Sequence, residues 1–180
     1  MVKAFAEMLI SAKGLIINTA SASAVTPYLF GAAYTASKGA VVSYSRTLRL
    51  ELAPLGVRVM VTMTGTTKSN TASHGHRFLP TDSLYKAAQG IFEWRLVFSQ
   101  NSATMATDKY ARQLVRESLK PEAPLFARSW LGRPDWFWYG GRTSIVWLAH
   151  SLGEWVMDTV GWYAFKVPDL QKALAQTKQK

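Results

Sequence analysis

The chain has no cysteine, so neither a disulfide framework nor a thiolate metal site is open to it. Histidine is scarce: His74, His76 and His150 are the only three, too few and too scattered for a zinc site. Acidic residues number 11 against 21 lysines and arginines, which leaves a formal net charge of +10. A basic balance favours anionic partners such as nucleic acid, lipid headgroups or phosphorylated substrates. The basic residues are spread out, with one small cluster at Lys172, Lys178 and Lys180. No nucleic-acid-binding motif accompanies them, so nucleic acid is set aside. The opening stretch does not read as a signal peptide, because Glu7 interrupts a short apolar run. A glycine-rich turn between a strand and a helix is also missing. Gly31 and Gly140-Gly141 lack that context.

What is present is globular. Apolar residues make up 48% of 180, with seven tryptophans, enough for one domain with a real core. The organising stretch runs from Asn18 to Lys38, just after the apolar strand Leu15-Ile16-Ile17. Tyr34 and Lys38 are four apart, which puts phenol and ammonium on one face of a helix, one turn from each other. Ser21 precedes Tyr34 at the end of the strand; Ser23 is a nearby alternative. A phenol with its ordinary pKa of about 10 is a poor acid or base near neutrality. A cation held beside it favours the phenolate and brings it into the working range. A serine hydroxyl donates to a carbonyl oxygen as charge develops there. The three together form a proton-handling site for a carbonyl, and what such a site lacks is a hydride donor, the part a nicotinamide cofactor plays. The bland reading is an amphipathic Tyr–Lys pair on a surface helix.

Gly14-Leu-Ile-Ile-Asn-Thr-Ala-Ser21 followed by Tyr34-Thr-Ala-Ser-Lys38 resembles the second half of the short-chain dehydrogenase/reductase pattern, with its Y-x-x-x-K motif. The following Arg46-Thr-Leu-Arg-Leu-Glu-Leu52 and Gly56-Val-Arg-Val-Met-Val61 continue it. The resemblance implies an α/β fold: the C-terminal portion of a Rossmann-like doubly wound parallel sheet, whose N-terminal Gly-rich βα units and tetrad asparagine would fall before Met1. It implies a division into a catalytic core half (1–70), a substrate lid region (71–134) and a last strand with C-terminal helices (135–180). It implies catalytic Ser21, Tyr34 and Lys38 and no metal. Lys38 would hold the nicotinamide ribose, and Tyr34, Lys38, Gly65, Thr67 and Ser69 would contact the cofactor. In the family the turn after the next strand is usually Pro-Gly; here it is Thr64-Gly65, a departure.

Within the family the pattern is similar to fungal NADPH-dependent 1-acyldihydroxyacetone-phosphate reductases, through Gly14–Ser21, Arg46–Leu52, Arg58-Val-Met-Val, Thr64-Gly-Thr and Asp135-Trp-Phe-Trp-Tyr-Gly-Gly. That implies NADP (NADPH) as cofactor and a lipid-like ketone phosphate as substrate. A secondary-metabolite ketone reductase, and a chain inactive for want of the cofactor-binding half, stand as alternatives. The implied location is cytoplasmic, peripheral on endoplasmic reticulum or lipid droplets, with a homo-oligomer as a further option.

Periodicity and punctuation predict the remaining elements. A helix over 1–12 carries Phe5, Met8 and Leu9 on one side. The Tyr34 helix runs to Leu52 with Val41, Val42, Tyr44, Leu48 and Leu52 as its apolar stripe. A buried strand spans 57–63, and a polar loop spans 70–81. A helix follows from Asp82 or Ser83 to Phe98 with Leu84, Ala87, Ile91 and Leu96 inside. Another begins at Thr107 as N-cap. Pro27, Tyr28, Leu29 and Phe30 either border a substrate cleft or simply pack the loop. Asp135 to Gly141 reads as the last strand and its turn. Ser144 to Phe165 reads as one long apolar helix, for core, lid or membrane-surface contact through Trp147, Trp155 and Trp162. A short basic helix ends the chain.

Overall fold

The computed structural model describes residues 2–70, 77–102, 104–124 and 126–177. His74 and His76, half of the 70–81 loop, and Lys178 and Lys180 lie outside them. Three parallel strands form one sheet in the order β1-β2-β3. They are β1 (Leu15–Thr19), β2 (Arg58–Thr64) and β3 (Trp136–Tyr139). Leu15 pairs with Arg58 and Thr19 with Thr62; Val61 pairs with Trp136 and Thr64 with Tyr139. β2 is central and buried on both faces, which suits its Val-rich run. The expected α/β architecture with a parallel sheet is therefore observed, and helices connect its strands as parallel pairing requires.

The crossover from β1 to β2 is α2 (Ala32–Leu52). Val42 and Leu48 are buried on it. Val42 packs with Ala20, Val61 and Met63, and Val41, Trp136 and Trp138 flank this cluster. The predicted stripe needs one correction. Tyr44 is 52% exposed, and Ser45 is the fully buried residue in its place. A polar contact decides this: Asn18 Nδ2 donates to Ser45 Oγ at 2.8 Å, and Ser45 Oγ donates to the Val41 carbonyl. A buried hydroxyl with both needs met costs little. Arg49 reaches further. Its Nε donates to the Val59 carbonyl and its Nη2 to that of Asp135, each at 2.9 Å, while the guanidinium stacks on Trp136. One side chain thus ties α2 to two strands. On the other sheet face Tyr110 of α4 (Thr107–Ser118) bonds Thr64 Oγ1 at 2.6 Å and packs on Phe137.

Helix α1 (Val2–Ser11) forms as expected, but its apolar stripe faces solvent: none of its residues is buried, and Phe5 and Met8 are exposed. The edge residue Ile17 is 39% exposed. The accessible surface totals 11734 Å², against roughly 8,700 Å² for a compact monomer of this mass.

Three more boundaries differ from expectation. Leu84 is outside any helix and 90% exposed. A 3-10 turn at Lys86–Ala88 leads into α3 (Gln89–Asn101) instead. Ala106 occupies the cap position of α4, and the Thr107 hydroxyl donates to the Lys68 carbonyl rather than capping. Between them α4 and β3 carry the short α5 (Arg128–Leu131).

The long C-terminal helix is two helices, α6 (Thr143–Leu152) and α7 (Glu154–Ala164). Gly153 separates them at φ +117°, ψ 166°, a backbone region essentially restricted to glycine. No helix among the described residues is long and apolar enough to cross a membrane. The chain then enters α8 (Val167–Thr177).

Two glycines make a paired test. Gly153→Ala is expected to lower unfolding stability by about 1–3 kcal/mol, because alanine is strained at that backbone angle. Gly90→Ala, in open space within α3, is expected to raise it by roughly 0.5 kcal/mol. Urea unfolding of both variants checks the contrast.

Candidate active site

The carboxyl ends of all three strands open on one cleft of about 800 Å³. This is the crevice where open α/β sheets place ligands. Residues 19–23 arrive from β1, 64–67 and Ser69 from β2 and Gly141-Arg142 from β3. Helix α3 forms one wall through Arg95, Leu96 and Phe98, and α6 and α7 form another through Ile145, Val146 and Val160.

Ser21, Tyr34 and Lys38 all line this cleft. Ser21 follows β1 in extended conformation and caps a short 3-10 turn, Ala22–Ala24. Its Oγ accepts from Ser23 N at 3.2 Å and from Ser23 Oγ at 2.9 Å. Its own proton has only a 3.4 Å contact, to the Thr64 carbonyl. The hydroxyl is therefore oriented by two donors while its proton is weakly held, an arrangement suited to donating into the cleft. Ser23, the alternative serine, also lines the cleft but is buried, and its hydroxyl donates to Ser21 Oγ.

Tyr34 sits in the first turn of α2 and is 45% exposed. Lys38 follows one turn later, its Nζ 5.9 Å from the Tyr34 ring centre. Nζ also donates to the Thr19 carbonyl at 3.0 Å, which pins the ammonium to the end of β1.

Gly65, Thr67 and Ser69 also line the cleft, yet their loop is already bonded within the protein. Gly65 N donates to Tyr139 O, Thr66 N to Gly141 O and Lys68 N to Met105 O. Ser69 N donates to Gln100 Oε1. Gly65 is bare because of packing: a Cβ there would lie 2.1 Å from Thr143 Oγ1 and 2.3 Å from the Gly141 carbonyl oxygen. Contact with a ligand on this side falls to side chains such as the Thr67 hydroxyl, whose bond to the Gly65 carbonyl is 3.4 Å long.

Of the loop before α2, Tyr28 and Phe30 border the cleft. Pro27 instead packs on Gly161, where a Cβ would meet it at 3.1 Å. Tyr28 stacks edge-on against Phe165 at 5.2 Å. Burial raises its pKa above the ordinary phenol value, with Arg95 opposing and Tyr34 adding to the rise.

Sequence reasoning missed Arg95. Its guanidinium lies 4.1 Å from the Tyr28 ring centre, and its Nη2 sits 2.5 Å from where a Cβ on Gly31 would be. The signal was available: one arginine within the apolar run Trp94–Phe98.

Residues 1–77 match the family model described as short chain dehydrogenase. The short-chain dehydrogenase fogD of Aspergillus ruber is 32% identical over 184 residues, covering 100% of this chain and 60% of its own length. The NADPH-dependent 1-acyldihydroxyacetone phosphate reductase of Saccharomyces cerevisiae is 37% identical over 127 residues, or 69% of this chain and 42% of that protein. The chain thus spans about half the length of the curated relatives it matches. The crystal structure of a short-chain dehydrogenase from Streptomyces avermitilis superposes with a TM-score of 0.63 at 18% identity, covering 93% of this chain and 56% of that one. That last likeness concerns the fold alone.

Substituting Gly65 by alanine is expected to push the loops after β2 and β3 apart and cost about 1–3 kcal/mol. Thermal unfolding of Gly65→Ala against the parent chain measures it.

Proposed function

Because this chain belongs to the short-chain dehydrogenase/reductase family, we propose that its cleft serves the reduction of a ketone to a secondary alcohol with NADPH. The observation that carries this reading is the convergence of Ser21, Tyr34 and Lys38 on one cleft at the strand ends. In this reading they are the catalytic residues. Ser21 donates a hydrogen bond to the substrate carbonyl oxygen, with Ser23 holding its oxygen in place. Tyr34 delivers the proton to that oxygen. Lys38, with its Nζ 5.9 Å from the ring centre, places a positive charge beside the phenol, whose proton is replenished from solvent.

The cleft fits the nicotinamide half of such a cofactor. It is large enough, and it opens beside Lys38 and the Thr67 hydroxyl without a carboxylate among its lining residues. Lys38 would hold the ribose, with Tyr34, Gly65, Thr67 and Ser69 around the ring. When bound, the cofactor supplies the hydride. The preference for NADPH over NADH, like the lipid-like ketone phosphate as substrate, is supported by the likeness to the yeast reductase named for both.

The apolar wall supports a substrate with a hydrocarbon part. Phe30, Leu96, Phe98, Ile145, Val160 and Phe165 supply it. The exposed Trp147, Trp155 and Trp162 of α6 and α7 support a peripheral position on a lipid surface, where such side chains sit at headgroup level.

Two experiments test these statements. Titration with NADPH should saturate, and ketone-dependent NADPH oxidation should fall at least about 100-fold in Tyr34→Phe and Ser21→Ala with cofactor binding retained. An absence of saturable NADPH binding contradicts the proposal. Liposome co-sedimentation should be weakened by replacing Trp147, Trp155 and Trp162 with serine; equal binding by both proteins contradicts the surface contact.

A further inference from the structure

The cleft carries more positive charge than the reaction uses. Besides Lys38 it is lined by Arg77, Arg95 and Arg142, and by no aspartate or glutamate. Arg142 and Arg77 are exposed. Arg95 is not: it is half-buried between the Tyr28 ring and Gly31. Its Nε is buried and has no hydrogen-bond partner among the described residues. The ionisable groups acting on it are Tyr28, Arg77 and Tyr34, none of them a carboxylate. Burial lowers its pKa, the Tyr28 and Tyr34 phenols raise it and Arg77 lowers it further. A guanidinium nonetheless stays charged in proteins.

A half-buried cation without a counter-ion is unfavourable unless something else supplies the negative charge. The position of this one is specific. It presses on Gly31, the residue before α2, three residues from Tyr34. The Tyr28 ring that it lies against is 6.4 Å from the Tyr34 ring, and Arg95, Ser21 and Tyr34 line the same cleft. The apolar residues Phe98, Val160 and Phe165 line the same cleft.

We propose that Arg95, assisted by Arg77, binds an oxyanion attached close to the substrate ketone, so that the site selects anionic ketones with a hydrocarbon tail over neutral ones. The inference rests on the reductase reading of the same cleft and adds the residues that hold the substrate's anionic group. The anion is a phosphate monoester or a carboxylate. The Arg95 guanidinium lines the cleft, and a charge-assisted hydrogen bond from it suits either anion. Arg95 is here a binding residue and takes no part in proton transfer.

Binding is measured by calorimetry on the full chain without cofactor, so the result does not depend on turnover. The ligands are 1-hexanoyl-dihydroxyacetone phosphate, the same molecule without phosphate, and 3-oxodecanoate. The phosphorylated ketone or the keto acid should bind at least about tenfold more tightly than the phosphate-free ketone, and whichever does so identifies the oxyanion. Arg95→Gln should remove that advantage and leave the phosphate-free ketone unchanged; Arg77→Gln should reduce it in part. Inorganic phosphate should compete with the anionic ligand and not with the neutral one, a test that needs no variant to fold. Equal affinity of the unaltered chain for charged and neutral ketones overturns the proposal. So does an equal loss for both ligands in Arg95→Gln. Failure of the reductase reading shows separately, as absent ketone-dependent NADPH oxidation, and leaves the binding result standing.

Discussion

The docking of α2 across the sheet is the constraint on which the site depends. Tyr34 and Lys38 are carried by that helix and Ser21 by the end of β1, so their meeting is set by how the helix is rotated and how far it slides. Apolar burial of Val42 and Leu48 brings the two surfaces together but is non-directional. Direction comes from four hydrogen bonds donated by three side chains: Asn18 to Ser45, Arg49 to the Val59 and Asp135 carbonyls, and Lys38 to the Thr19 carbonyl. They lie near the middle, end and start of the helix and leave it no freedom to turn. Lys38 therefore has two tasks. It locks the first turns of α2 to the strand, and its charge lies beside the phenol.

The sheet end and the helix start are also where the protein concentrates unsatisfied potential. Ser21 is oriented by Ser23 yet its proton is loosely held. Arg95 is half-buried beside Tyr28, and its Nε has no hydrogen-bond partner among the described residues. The loop after β2 shows the opposite character, since most of its backbone donors are already bonded to the loop after β3, to Met105 and to Gln100. The loosely held groups therefore sit on the β1 and α2 side of the cleft, and the β2 and β3 side is a firmly bonded wall.

The legible part of this arrangement was the part written in local spacing. The four-residue step from Tyr34 to Lys38, the strand before Ser21 and the β-branched run of β2 each depend on a few adjacent residues, and the sheet and the cleft match them. What escaped was set by distant partners. Tyr44 looked like core until Asn18 claimed Ser45. Ser144 to Phe165 looked continuous, yet one glycine backbone angle divides it. The stripe on α1 has the right period but no surface to pack against among the described residues. Gly65 lines the cleft, and its lack of a side chain is also set by Gly141 and Thr143, which crowd the space a Cβ would need. Arg95 was visible only as a charge in an apolar run, because its meaning comes from Gly31 and Tyr28 in another part of the chain.

The central claim is spatial: one carbonyl oxygen fits between the serine and the phenol while the lysine stays beside the ring. A crystal structure of the chain with an unreactive ketone analogue tests it most directly. The account predicts the analogue's oxygen at hydrogen-bond distance, roughly 2.6–3.2 Å, from both Ser21 Oγ and Tyr34 Oη. A Tyr34 ring turned away from Ser21, with the ligand held elsewhere, contradicts it.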